Sequence, residues 1–85
     1  MSWRKWKLGG ADFRDRYFSS FDKLAECLAR ELPARGNDAL TVTQIDGFAG
    51  FDVWADDDGG LFLQGRYSHI QRETIRAMIE KGAAQ

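Results

Sequence analysis

The chain has 85 residues and a net charge of -1, with 44% hydrophobic and 29% charged residues. That length holds one domain around one core, burying roughly 60–65% of the unfolded surface. No apolar run approaches the ~20 residues that cross a bilayer, the basic residues 1–7 lack the apolar stretch of a secretory signal, and the single Cys27 excludes an internal disulfide framework and suits a reducing cytoplasm.

Charge is uneven along the chain. Residues 1–36 carry eight Lys/Arg against five Asp/Glu, a net +3, and residues 37–85 carry four against eight, a net -4. Such polarity suits a surface that orients a charged partner.

Residues 3–16 read as a β-hairpin turning at Gly9-Gly10, a favoured two-residue turn. Pairing Leu8 with Ala11 sets Trp6 opposite Phe13, Arg4 opposite Asp15, Lys7 opposite Asp12, Trp3 opposite Arg16 and Lys5 opposite Arg14. Alternation then gathers Trp3, Lys5, Lys7, Arg14 and Arg16 on one face, with only Asp12 opposing them. Cations around an aromatic suit phosphate contact with base stacking, or an acidic protein surface.

A helix is expected over residues 20–32, capped by Ser19 with Asp22 three residues on. Phe21, Leu24, Ala25, Leu28 and Leu32 form its apolar stripe, and Pro33 is expected to end it. Residues 40–67 read as a three-stranded meander with strands at 40–45, 50–55 and 61–67. Asp46-Gly47 starts the first turn, leaving Phe48 either folded into the core or exposed for a partner. Asp56-Asp57-Asp58-Gly59-Gly60 makes the second turn. Across it, Ala55 pairs with Leu61, Val53 with Leu63 and Phe51 with Gly65 on a core face. Trp54 with Phe62 and Asp52 with Gln64 fall on the opposite face, an aromatic pair that a solvated face does not need. A last helix spans 69–81, opened by Ser68 and Gln71 at capping-box spacing and stopped at Gly82. Its buried side is expected from Ile70, Thr74, Ile75, Met78 and Ile79. The order β-β-α-β-β-β-α predicts a single small α+β domain, a mostly antiparallel sheet with two helices packed on one face.

Catalytic chemistry finds few parts. Cys27, beside Leu28, reads as a packing residue, and His69, in the first turn of the last helix, has no nucleophile to serve. One Cys and one His do not make a zinc site, and no other cofactor is indicated. As a calcium loop the Asp56–Asp58 run has Gly60 at the third ligand position and no closing Glu. The two Gly-Gly pairs lack a phosphate-loop lysine or a dinucleotide fingerprint.

From Phe21 onward the order helix, three strands, helix resembles that of double-stranded-RNA-binding domains over about 65 residues. That family opens its last helix with a lysine cluster, whereas Ser68-His69-Ile70-Gln71-Arg72 stands there in this chain. The resemblance therefore implies a fold order and no RNA-binding chemistry.

The expectation is a cytoplasmic, non-enzymatic binding module whose partner is a protein or nucleoprotein complex. A small domain without catalytic parts has the profile of stoichiometric inhibitors and adaptors, such as immunity proteins and bacterial or phage anti-defence proteins of the anti-CRISPR kind. Trp54, Phe62 and Arg66, flanked by Thr41, Thr43 and Gln64, are the expected anchors. The acidic tip Asp56, Asp57 and Asp58 offers a phosphate-mimicking contact. The alternative is nucleic-acid binding through Trp3, Lys5, Lys7, Arg14 and Arg16, and a third reading is a homodimer through the sheet face or edge.

Overall fold

The computed structural model describes residues 5–36, 38–55 and 60–83. It contains β1 (Trp6–Gly10), β2 (Phe13–Phe18), α1 (Phe21–Arg35), β3 (Leu40–Gln44), β4 (Gly50–Ala55), β5 (Leu61–Arg66) and α2 (His69–Ala83). The strands form one antiparallel sheet in the order β2-β1-β3-β4-β5. The fold class read from the sequence is the one observed.

Alternation builds the core. Leu8, Val42 and Phe51 make one row across β1, β3 and β4; Leu40 and Val53 make the next, with Gly10 filling the β1 position. All five apolar side chains are buried and point toward the helices. The stripe Leu24, Ala25, Leu28 and Leu32 of α1 closes over them, with Cys27 buried beside it. α2 packs chiefly on α1, and Ile75 is its one fully buried side chain among those described. Burial of a Leu- or Val-sized side chain contributes about 1.5–3 kcal/mol, so these two layers carry the stability.

The β4–β5 hairpin has the register expected from its turn. Ala55 faces Leu61, Trp54 Phe62, Val53 Leu63, Asp52 Gln64 and Phe51 Gly65. The capping box of α2 is also present: Gln71 N donates to Ser68 Oγ at 3.1 Å, and Ser68 N donates to Gln71 Oε1 at 2.9 Å.

The N-terminal hairpin is different from the expected one. Its turn is at Ala11-Asp12, not Gly9-Gly10, and Gly10 faces Phe13, Leu8 faces Arg16, Lys7 faces Tyr17 and Trp6 faces Phe18. Both glycines are ladder residues because β1 is an interior strand whose other side pairs with β3, Gly9 to Thr41 and Gly10 to Leu40. Gly10 is needed for close approach: a Cβ there would stand 2.8 Å from Leu40 Cδ2. Asp12 takes the left-handed conformation that the turn requires (φ 57°), which Asp tolerates better than most residues. Between Leu8 and Gly10 the register shifts, so Arg14 and Asp15 together stand opposite Gly9 as a β-bulge. The expected pairs Trp6–Phe13, Lys7–Asp12 and Lys5–Arg14 are therefore absent. Trp6 instead packs against Phe21, ring centroids 4.8 Å apart, and Lys5 N donates to Phe18 O at 2.9 Å. The expected partners of Asp15 and Arg16, Arg4 and Trp3, lie outside the described residues.

Helix boundaries move as well. Ser20, not Ser19, caps α1: it is extended (φ -134°, ψ 153°) and its Oγ accepts from Lys23 N at 3.3 Å. Pro33 does not end α1, which runs on to Arg35 and stops at Gly36 with φ 62°. A proline near a helix end costs the one hydrogen bond that its missing N–H would have made to the carbonyl of Ala29, and the burial of Leu32 outweighs it. The last turn is further tied down by Arg35, whose Nη2 donates to Ala11 O and whose guanidinium lies 5.7 Å from the Phe13 ring centroid. In α2, Gly82 is passed over and the helix reaches Ala83, while Ile70 is 77% exposed instead of buried.

Candidate docking interface on the open sheet face

Both helices lie on one side of the sheet, and the alternate side chains point away from them. On that open side the register builds two rows across all five strands. One reads Tyr17, Lys7, Thr43, Gly50, Arg66; the next reads the Arg14/Asp15 bulge, Gly9, Thr41, Asp52, Gln64. Trp54 and Phe62 form a cross-strand pair beyond the second row.

The aromatic pair is the best-defined feature of this face. The Trp54 and Phe62 rings stack with centroids 5.8 Å apart and planes 15° from parallel, and Phe62 is 43% exposed. Beside it Thr41 Oγ1 donates to Asp52 Oδ1 at 2.7 Å, leaving a satisfied, uncharged-to-acidic centre. At the far end of the face the β3–β4 turn holds Phe48 outside the core, 73% exposed, with the Arg66 guanidinium carbon 5.3 Å from its ring centroid. Of the two fates open to Phe48, the structure selects exposure. The turn is closed without it: Gln44 N donates to Ala49 O at 2.8 Å, Ala49 N donates to Gln44 Oε1 at 3.2 Å, and Ala49 takes the buried position. Arg66 lies over Gly50, where no side chain obstructs it.

The structure thus brings Trp54, Phe62 and Arg66 onto one face, sets Phe48 beside Arg66 in the exposed position that is one of its two expected fates, and adds Tyr17, which the sequence did not single out for it. Asp56, Asp57 and Asp58 lie outside the described residues. The basic cluster expected on the first hairpin does not assemble as a unit. Lys5 and Lys7 share the open side, but Lys7 Nζ is 3.4 Å from Asp15 Oδ2, and Arg14 sits in the bulge. Arg16 is on the helix side, opposite Leu8, with Nη1 donating to Cys27 Sγ at 3.6 Å and its guanidinium 5.7 Å from the Phe18 ring centroid. Trp3 lies outside the described residues. The one-residue shift that a bulge introduces moves a side chain to the other face, and this is what takes Arg16 from the cluster.

On the helix side, a cleft of about 640 Å³ opens between the end of α1, the start of β5 and α2. Its floor is apolar (Leu32, Pro33, Leu61, Ile79), and its rim holds Arg72, Arg76 and Glu80. Arg76 is 3.2 Å from Glu80 and 3.7 Å from Glu73, and Arg72 is 3.9 Å from Glu73, so the rim is charge-compensated. Cys27 is buried, and His69 stands in solvent with Nε2 3.8 Å from Glu73 Oε1. Among the described residues no three His, Cys, Asp or Glu side chains cluster as metal ligands, and no helix is long and apolar enough to cross a membrane.

The molecule is defined at the level of architecture: a five-stranded antiparallel sheet, helices on one side, and on the other a face bearing the Trp54–Phe62 stack and the Phe48–Arg66 pair. No family model, curated protein or solved structure matches the chain.

Proposed function

We propose that this chain is a non-enzymatic docking module of the cytoplasm that binds a protein, or the protein part of a nucleoprotein complex, through the open face of its sheet, as a stoichiometric inhibitor or adaptor of the anti-CRISPR or immunity-protein kind. One observation carries the reading. The face that the helices leave uncovered is furnished with a stacked Trp54–Phe62 pair and an outward Phe48 bridged by Arg66. A face that only meets water gains little from such residues, about 0.2–1 kcal/mol for a cross-strand aromatic pair, whereas aromatic and arginine side chains are the ones enriched at the centres of protein interfaces. Nucleic acid is the lesser reading, because the cations of the first hairpin are divided between the two faces and Lys7 is ion-paired.

The test is affinity capture from the lysate of the native host, with and without nuclease, using the wild type and Trp54→Ala/Phe62→Ala. The proposal expects a single protein or complex that survives nuclease, binds in fixed stoichiometry and is lost in the double variant while circular dichroism is unchanged. Capture that needs intact nucleic acid, falls steeply with salt and responds to Lys5→Glu/Lys7→Glu instead would overturn it in favour of phosphate recognition.

A further inference from the structure

The two edges of the sheet are built differently. The β2 edge is guarded: it carries the Arg14-Asp15 bulge, three consecutive charged residues, and Arg16 pointing to the helix side of an edge strand. Bulges, edge charges and inward-facing charges are the devices by which sheets resist pairing with further strands. The β5 edge has none of them until its last residue. It reads Leu61-Phe62-Leu63-Gln64-Gly65-Arg66, stays in register with β4 over its whole length, and no described strand pairs with its far side. Leu61 and Leu63 point to the core yet remain only half-buried, since α2 leans on α1 rather than over this edge.

We infer that β5 is the seam of a two-fold homodimer, each β5 pairing antiparallel with the β5 of a second copy so that the five-stranded sheet is doubled. In the register centred on Gln64 the strand is complementary to itself on both faces. There each Phe62 stands opposite the Arg66 of the other copy, whose guanidinium turns outward from Phe48 to make two cation–aromatic pairs on the open face, and the two Gln64 amides face each other on the axis. On the helix side each Leu63 falls opposite Gly65 of the other copy, which offers no side chain to block it. The occupant is therefore a second copy of this chain, because one strand supplies both halves of every pair. The inference concerns assembly and does not rest on the proposed docking role; if both hold, the dimer sets two Trp54–Phe62 stacks on one continuous face.

The experiment is the mass in solution of the full chain by light scattering, followed by cysteine cross-linking. Wild type should run at twice 9.6 kDa. Gln64→Lys sets two cations face to face on the axis and should give a folded monomer, judged by circular dichroism. Gln64→Cys should oxidise to a disulfide dimer, because directly opposed residues have Cα atoms about 4.5–5.5 Å apart, within disulfide reach. Phe62→Cys alone should not, since in this register its two copies are roughly 14 Å apart, but it should cross-link when mixed with Arg66→Cys. A wild-type monomer at high concentration overturns the inference. So does a dimer indifferent to Gln64→Lys, or a dimer in which Gln64→Cys fails to cross-link. Phe62 belongs to both surfaces, so capture is repeated with Gln64→Lys, which leaves the Trp54–Phe62 stack intact: capture by that monomer with a wild-type dimer supports both proposals separately, and the loss of either readout alone overturns only its own proposal.

Discussion

Replacing Gly65 with alanine should be among the most damaging single-methyl changes that this chain can suffer. Gly65 has φ 135°, a conformation L residues rarely adopt, and it faces Phe51 in the β4–β5 ladder. A Cβ built on it would lie 2.4 Å from Gly50 O and 2.8 Å from Phe51 Cα. Those are backbone atoms of β4, held on their other side by β3, so they cannot swing aside as a side chain would. Backbone strain of this kind costs about 1–3 kcal/mol, and forcing a methyl into filled space costs about 1–3 kcal/mol more. A domain of this length has roughly 4–13 kcal/mol of total stability. The variant should thus lose about 2–6 kcal/mol, a fall in Tm of ~10 °C or more.

Urea unfolding followed by circular dichroism and tryptophan fluorescence measures this directly. Gly36→Ala is the matched control: its φ is also positive, 62°, but nothing lies within 4 Å of its added Cβ. It should lose only about 1–3 kcal/mol, the cost of the strained backbone conformation alone. If Gly65→Ala costs no more than Gly36→Ala, the close approach of β4 and β5 at this position is refuted.

Other substitutions test the corrected local structure. Ser20→Ala should destabilise by about 1 kcal/mol through loss of the bond from Lys23 N, whereas Ser19→Ala should stay within about 0.5 kcal/mol in the same urea assay. Arg35→Ala should cost about 1–3 kcal/mol, since it removes the charged donor to Ala11 O and the cation over Phe13 that tie the β1–β2 turn to α1. Cys27, fully buried, should resist a thiol reagent in native buffer and react only at the rate of unfolding.

Sequence revealed most where a local signal and a tertiary demand agree. The β4–β5 register follows from one turn and from strict alternation, and the Ser68/Gln71 box needs only its own four residues. The first hairpin failed because its strongest local signal, Gly9-Gly10, was recruited by a contact that has no local trace. β3 follows only after the whole of α1, and its Leu40 presses on Gly10. Nothing within residues 3–16 records that neighbour. The Asp at position 12, able to take positive φ, was the weaker and correct turn signal. Pro33 misled for a related reason: its preference against helix is real, but Leu32 beside it is only 1% exposed and holds the turn in place. The docking face was legible to the same degree. Trp54 and Phe62 come from the well-marked hairpin, whereas Arg66 over Phe48 joins a strand end to a distant turn, and Arg16 changed sides with the bulge.

What separates the docking proposal from a merely decorated surface is the ratio of two energies at the same residues. A cross-strand aromatic pair on an exposed face contributes about 0.2–1 kcal/mol to folding. An aromatic at the centre of a protein interface typically costs about 2 kcal/mol or more of binding when truncated. Trp54→Ala/Phe62→Ala should therefore leave the chain folded, with a urea midpoint close to wild type, and yet weaken partner binding by about thirtyfold or more. Core residues behave in the opposite sense. Val53→Ala, on the neighbouring buried row, should depress the midpoint first and binding only through loss of folded protein. If instead the double variant unfolds as readily as Val53→Ala, the stack belongs to the fold, and the open face has no claim to a partner.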